Sequence, residues 1–189
     1  LDMAIKGLML AKFRNAGQTC ICANRILVQS GIYETVVERL VAAVAGLKVA
    51  PGTEAGATIG PLINDKAVAK VETLVADALA KGATLLAGGE RHSAGELFFQ
   101  PTVLANIQRE MAIFDNEIFG PVAALMRFER EEEAVTLAND TPFGLAAYFF
   151  SQNMGRIWRV AERLEYGMVG INEGGISSEV APFGGVKES

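Results

Sequence analysis

The sequence predicts an α/β fold, a mostly parallel sheet with helices on both faces. Short apolar runs alternate with amphipathic stretches of ten or more residues, the pattern of strand–helix units in a parallel sheet. The 189 residues are half apolar, enough chain to bury one compact core or two small ones. No internal repeat or low-complexity tract suggests another architecture.

Met3, Leu8, Leu10 and Phe13 predict a first helix, ended by the polar and glycine residues Arg14 to Thr19 just before Cys20. Residues 25–29 read as a buried strand, and Val36, Val37, Leu40, Val41 and Val44 place a helix over about 32–46. Pro51, Gly52, Gly56, Gly60 and Pro61 make a long loop. Asn64 or Asp65 then caps a helix to about Lys81, with Val68, Val71, Leu74, Val75, Ala78 and Leu79 inward and Gly82 as its C-cap.

A short strand over 83–87, a Gly88-Gly89 turn and an extended stretch over 98–104 come next, with Pro101 expected at an edge or irregularity. Val122 to Phe128 is a strand. The acidic cluster Glu129, Glu131, Glu132 and Glu133 suits the positive end of a helix through Ala138, read as a solvated helix start. A strand over 146–150, a helix over 154–164 and a last strand over 168–171 lead into a glycine-rich ending.

Charge and composition exclude several functions. Seventeen basic against 22 acidic residues give a net charge of −5, which advertises no phosphate-neutralising face, so no nucleic-acid partner is expected. No apolar run approaches the roughly 18–20 residues of a membrane-spanning helix, and the N-terminus lacks a signal peptide's features. A cytoplasmic protein is the expectation. Two cysteines and one histidine fall short of a four-ligand zinc site, so no metal is expected either. The chain opens on Leu1 in a helical pattern and closes on Phe183 to Ser189, which reads as the middle of a motif. It is expected to be a piece of a longer protein.

Neither G-x-G-x-x-G nor G-x-x-x-x-G-K-[ST] is present, so any nucleotide cradle lies mostly outside this chain, and the Gly-Gly pairs read as turns. His92, in a polar loop with no nucleophile nearby, reads as a surface residue. Cys20 is the best local signal. Following Asn15-Ala16-Gly17-Gln18-Thr19, it lies on a loop whose backbone amides are free to face a developing oxyanion, where a thiolate could attack a carbonyl carbon. On residue types alone, a buried inert cysteine is the competing reading.

Three motifs sharpen this. The stretch Lys12 to Cys20 resembles the active-site segment of the NAD(P)-dependent aldehyde dehydrogenase superfamily. Glu117-Ile118-Phe119-Gly120-Pro121 is similar to that family's Glu-x-Phe-Gly-Pro motif, and Pro182 to Ser189 to the segment before its C-terminal extension. The resemblance implies that residues 1–189 are the catalytic domain, with the dinucleotide-binding domain and the C-terminal oligomerisation tail largely absent. It makes Cys20 the nucleophile, which forms a thiohemiacetal and then a thioester, with NAD or NADP as cofactor. It gives Glu117 the nicotinamide ribose hydroxyls, a sound use of a carboxylate, and places Phe119 near the nicotinamide.

Within the family the chain looks most like the succinate-semialdehyde dehydrogenase branch. That likeness implies that Arg14 and Ser178 bind the remote carboxylate of a small aldehyde acid, succinate semialdehyde first and glutarate semialdehyde next. Read alone, Arg14 is a helix-end residue and Glu117 a surface acid in a turn. Cys22 is either a spectator or, as in some members of the branch, the redox partner of Cys20 in a strained small-ring disulfide. The resemblance also implies a homodimer or homotetramer for the full-length protein. The family's general-base glutamate and oxyanion asparagine have no counterpart before Cys20, so the isolated chain is expected to be inactive. A cysteine hydrolase and a non-catalytic structural module are the competing classes.

Overall fold

The computed structural model describes residues 1–189. In chain order its elements are α1 (Asp2–Phe13), β1 (Ile26–Gln29), α2 (Tyr33–Ala45), α3 (Asp65–Ala80), β2 (Thr84–Ala87), β3 (Thr102–Ala105), α4 (Ala112–Asp115), β4 (Val122–Phe128), α5 (Glu131–Asn139), β5 (Phe143–Gly144), β6 (Ala146–Phe149), α6 (Met154–Arg163), β7 (Met168–Ile171) and β8 (Val186–Lys187).

The main sheet has the order β1-β4-β3-β2. β1 and β3 run parallel to β4, with Ile26 opposite Leu125 and Val103 opposite Ala123. All four residues of β3 and the first five of β4 are buried, as expected of parallel strands covered on both faces. Val36, Leu40 and Val44 of α2 and Val68, Val71, Val75 and Ala78 of α3 join these strands in one continuous core. Asn64 is the N-cap of α3, its Oδ1 accepting the Ala67 N–H at 3.0 Å, and Gly82 follows the helix end with φ +99°.

The parallel pairings bear out the expected mostly parallel sheet, and the structure adds detail to it. β2 pairs antiparallel with β3, so one edge of the sheet reverses direction. Phe99 bridges Arg91 antiparallel, and β3 starts only at Thr102, so the extended stretch is interrupted at Pro101 as expected. The later strands form separate pairs, β6 parallel with β7 and β5 antiparallel with β8. Glu131 is not simply solvated at the start of α5. It takes hydrogen bonds from Arg159 (3.0 and 3.1 Å) and Arg156 (3.1 Å) of α6, which hold its carboxyl below the usual range and tie α5 to α6.

Two features position the site. α1 ends at Phe13, so the polar loop to Cys20 begins where the helix meets the core. The segment after β7 docks on α1 backbone to backbone: a Cβ on Gly174 would overlap the Gly7 carbonyl. Gly174→Ala should therefore destabilise the fold by about 1–3 kcal/mol, the usual effect of overpacking. Urea denaturation of the two proteins checks this, and an unchanged midpoint would contradict the close packing.

Candidate active site

Cys20 lies on a loop closed at its base by three hydrogen bonds. The Ala23 N–H donates to the Ala11 carbonyl at 3.2 Å, Lys12 Nζ to the Ala23 carbonyl at 3.2 Å, and Cys22 Sγ to the Lys12 carbonyl at 3.5 Å. Lys12 is completely buried, so its ammonium serves the loop rather than solvent. Within the loop, Asn15, Ala16 and Gly17 take three successive left-handed conformations, with φ of 52°, 55° and 76°. Asparagine tolerates this region and glycine favours it, but Ala16 carries strain of about 1–3 kcal/mol.

Polar ties hold that geometry. Asn15 Nδ2 donates to the Gln18 carbonyl at 3.0 Å. The Gln18 side chain clasps a neighbouring loop, donating to the Pro61 carbonyl at 3.2 Å and accepting the Ile63 N–H at 2.9 Å. From the other side the Tyr148 hydroxyl donates to the Ile21 carbonyl at 2.9 Å. Burial pushes the Tyr148 phenol up to about 12, with the charges of nearby Cys22, Arg14 and Cys20 as smaller influences. The two thiols end in different environments. Cys20 is exposed, whereas Cys22 is half-buried and engaged with the Lys12 carbonyl; both are free.

The Glu117 segment is brought to the same place. A Cβ on Gly17 would overlap the Gly120 carbonyl, so the cysteine loop lies directly on the Glu-x-Phe-Gly-Pro turn. Phe119 in that turn is itself left-handed, with φ 50°, and half-buried. Asn24 makes the second connection, donating through Nδ2 to the Asn116 carbonyl at 3.0 Å and accepting the Ile118 N–H on Oδ1 at 2.7 Å. Ile118 is fully buried, while Glu117 between the two tied residues projects into solvent.

Arg14 and Ser178 are less tightly placed. Arg14 is exposed at the end of α1, and neither it nor Glu117 enters any salt bridge of the chain. The segment leading to Ser178 runs along α1, with Glu173 Oε1 accepting the Gly174 and Gly175 N–H groups at 2.7 and 3.0 Å. Ser178 Oγ accepts the Val180 N–H at 3.3 Å, and no bond joins it to Arg14. His92 is half-buried, its Nδ1 accepting the Ala94 N–H at 3.1 Å. No cluster of three or more His, Cys, Asp or Glu side chains could hold a metal ion, and no helix is long and apolar enough to cross a membrane.

Comparisons with known proteins bear on the chain as a whole. The model of the aldehyde dehydrogenase family matches residues 1–189. The chain belongs to the aldehyde dehydrogenase family. It is 58% identical over its whole length to the 3-sulfolactaldehyde dehydrogenase of Pseudomonas putida and 54% identical to the succinate semialdehyde dehydrogenase of Acinetobacter baylyi. The crystal structure of the succinate-semialdehyde dehydrogenase from Burkholderia pseudomallei superposes with a TM-score of 0.97 at 60% identity, covering 98% of this chain and 39% of that one. The chain spans 39% of the length of both curated relatives as well.

Lys12, Gln18, Asn24 and Tyr148 emerge as supports that the sequence did not announce. Tyr148 lends itself to a direct check. Because its folded pKa lies above the ordinary value of 10, the stability it contributes is complete below pH 10 and is lost as pH rises toward about 12. Tyr148→Phe should cost about 1 kcal/mol at neutral pH through the lost bond to Ile21. It should also reduce the alkaline fall in stability between pH 10 and 12. Denaturation midpoints across that range measure both effects.

Proposed function

We propose that this chain is the cysteine-bearing catalytic part of an NAD(P)-dependent aldehyde dehydrogenase that oxidises a short aldehyde acid, with succinate semialdehyde as the leading substrate. The observation that carries the reading is the exposed, unbonded Cys20 thiol on a loop fixed against the Glu117 turn. Cys20 Sγ adds to the aldehyde carbon and the oxygen takes up a proton, giving a thiohemiacetal. NAD or NADP, when bound, would supply the hydride acceptor for oxidation to the thioester. Water then cleaves the thioester, releasing the acid and the Cys20 thiol.

The residues present fit a dinucleotide in part. Glu117 offers an exposed carboxylate outside every salt bridge, suited to two ribose hydroxyls, and Phe119 stands beside it. Most of the dinucleotide site belongs to sequence outside this chain, as do the general base and the oxyanion asparagine. The isolated 189 residues should therefore show no turnover. Exposed apolar side chains such as Met154, Trp158 and Phe183 suit contact with the missing domain and with a partner copy, in keeping with a homodimer or homotetramer.

Arg14 supports the substrate class. Its guanidinium is exposed and unpaired within the chain, as a bidentate grip on a remote anion requires, and Ser178 could add one hydroxyl. The named relatives act on succinate semialdehyde, glutarate semialdehyde and 3-sulfolactaldehyde, short aldehydes that carry a carboxylate or sulfonate. Glutarate semialdehyde is thus the second candidate.

NAD(P)H formation with succinate semialdehyde tests the proposal in the full-length reading frame that carries this chain. Cys20→Ser should abolish it, and robust turnover by the isolated chain would overturn the claim that essential groups lie outside. Arg14→Ala should raise the KM for the aldehyde acid roughly 10–100-fold, the size of a lost charge-assisted contact, and leave an uncharged aldehyde of similar length nearly unaffected. Equal losses for the two aldehydes would remove Arg14 from substrate recognition.

A further inference from the structure

Two segments far apart in sequence meet at the site, and only one side chain joins them through both of its polar atoms. Asn24 follows the cysteine loop and immediately precedes Arg25 and β1; its amide brackets Glu117, holding the carbonyl before it and the N–H after it. Ile118 N–H has Asn24 Oδ1 as its partner at 2.7 Å, so loss of that oxygen strands a donor beside a fully buried side chain. The cysteine loop does not depend on Asn24 in return. It keeps the Ala23–Ala11, Lys12–Ala23, Tyr148–Ile21 and Gln18–Ile63 bonds without it.

We infer that Asn24 is a positioning residue, which fixes the Glu117 carboxylate in register with Cys20 by clasping the backbone on both sides of Glu117. The inference rests on the proposed role of Glu117 at the nicotinamide ribose. Gly17 packed on Gly120 sets the distance between the segments, and Asn24 sets the rotation of the Asn116–Ile118 backbone that aims the carboxylate. The dependence is one-sided: loosening Asn24 frees the Glu117 segment and leaves the nucleophile in place.

The test combines two proteins. In the 189-residue chain, Asn24→Ala should speed hydrogen exchange at the Ile118 amide at least tenfold, with Cys20 alkylation by iodoacetamide within twofold of the parent rate. In the full-length frame, the same substitution should raise the dinucleotide KM about five- to tenfold with kcat nearly unchanged. Asn24→Asp, which keeps an acceptor for Ile118 and loses the donor to Asn116, should fall between. In a Glu117→Ala background Asn24→Ala should have no further effect on dinucleotide affinity. Additive losses in the double variant, or slowed Cys20 alkylation with unaltered Ile118 exchange, would overturn the inference. Should Glu117→Ala alone leave dinucleotide affinity unchanged, the ribose assignment falls first and takes the inference with it. Should it weaken affinity while Asn24→Ala does not, only the inference falls.

Discussion

The site depends on the approach of Gly17 to Gly120. The cysteine loop can lie on the Glu-x-Phe-Gly-Pro turn only because no Cβ stands between the Gly17 backbone and the Gly120 carbonyl, and because Gly17 accepts φ +76° without penalty. Gly120 is constrained from its far side as well, where a Cβ would collide with Val71 of α3. One stacked contact thus links α3, the Glu117 turn and the Cys20 loop. Pro121 follows directly, its carbonyl accepting the Thr102 N–H at 2.8 Å, so the turn is also anchored to the centre of the main sheet.

Seating the loop there requires three consecutive left-handed residues, one of them alanine. Local strain of that kind persists only where surrounding bonds over-determine the backbone. Here they come from every side: Lys12 from the helix beneath, Gln18 toward residues 61–63, Tyr148 from β6. The outcome is chemical sorting of two thiols one residue apart. Cys22 is drawn inward to the Lys12 carbonyl, and Cys20 is left outside with its sulfur unbonded. The Glu117 carboxylate and the Arg14 guanidinium are treated alike, kept exposed and out of salt bridges.

Much of this was legible in the residues. Helices α2 and α3 announced themselves by apolar spacing, α3 also by Asn64, and the buried strands β3 and β4 by continuous apolar runs. Cys20, Glu117 and Phe119 could be singled out because their motifs are contiguous. What stayed hidden depends on contacts between distant segments. The antiparallel turn of β2, the grip of Arg156 and Arg159 on Glu131 and the burial of Lys12 have no local periodicity to betray them. Asn24 looks like any polar residue before a strand, and its partners lie 92 and 94 positions away.

The central claim is that the fold leaves Cys20, and not Cys22, as the accessible thiol. Competitive alkylation of the native chain with limiting iodoacetamide, read out by peptide mass spectrometry, tests it most directly. The account predicts that Cys20 is labelled well before Cys22 and that the difference disappears in denaturant. Equal labelling of both thiols in the native protein, or preferential labelling of Cys22, would contradict it.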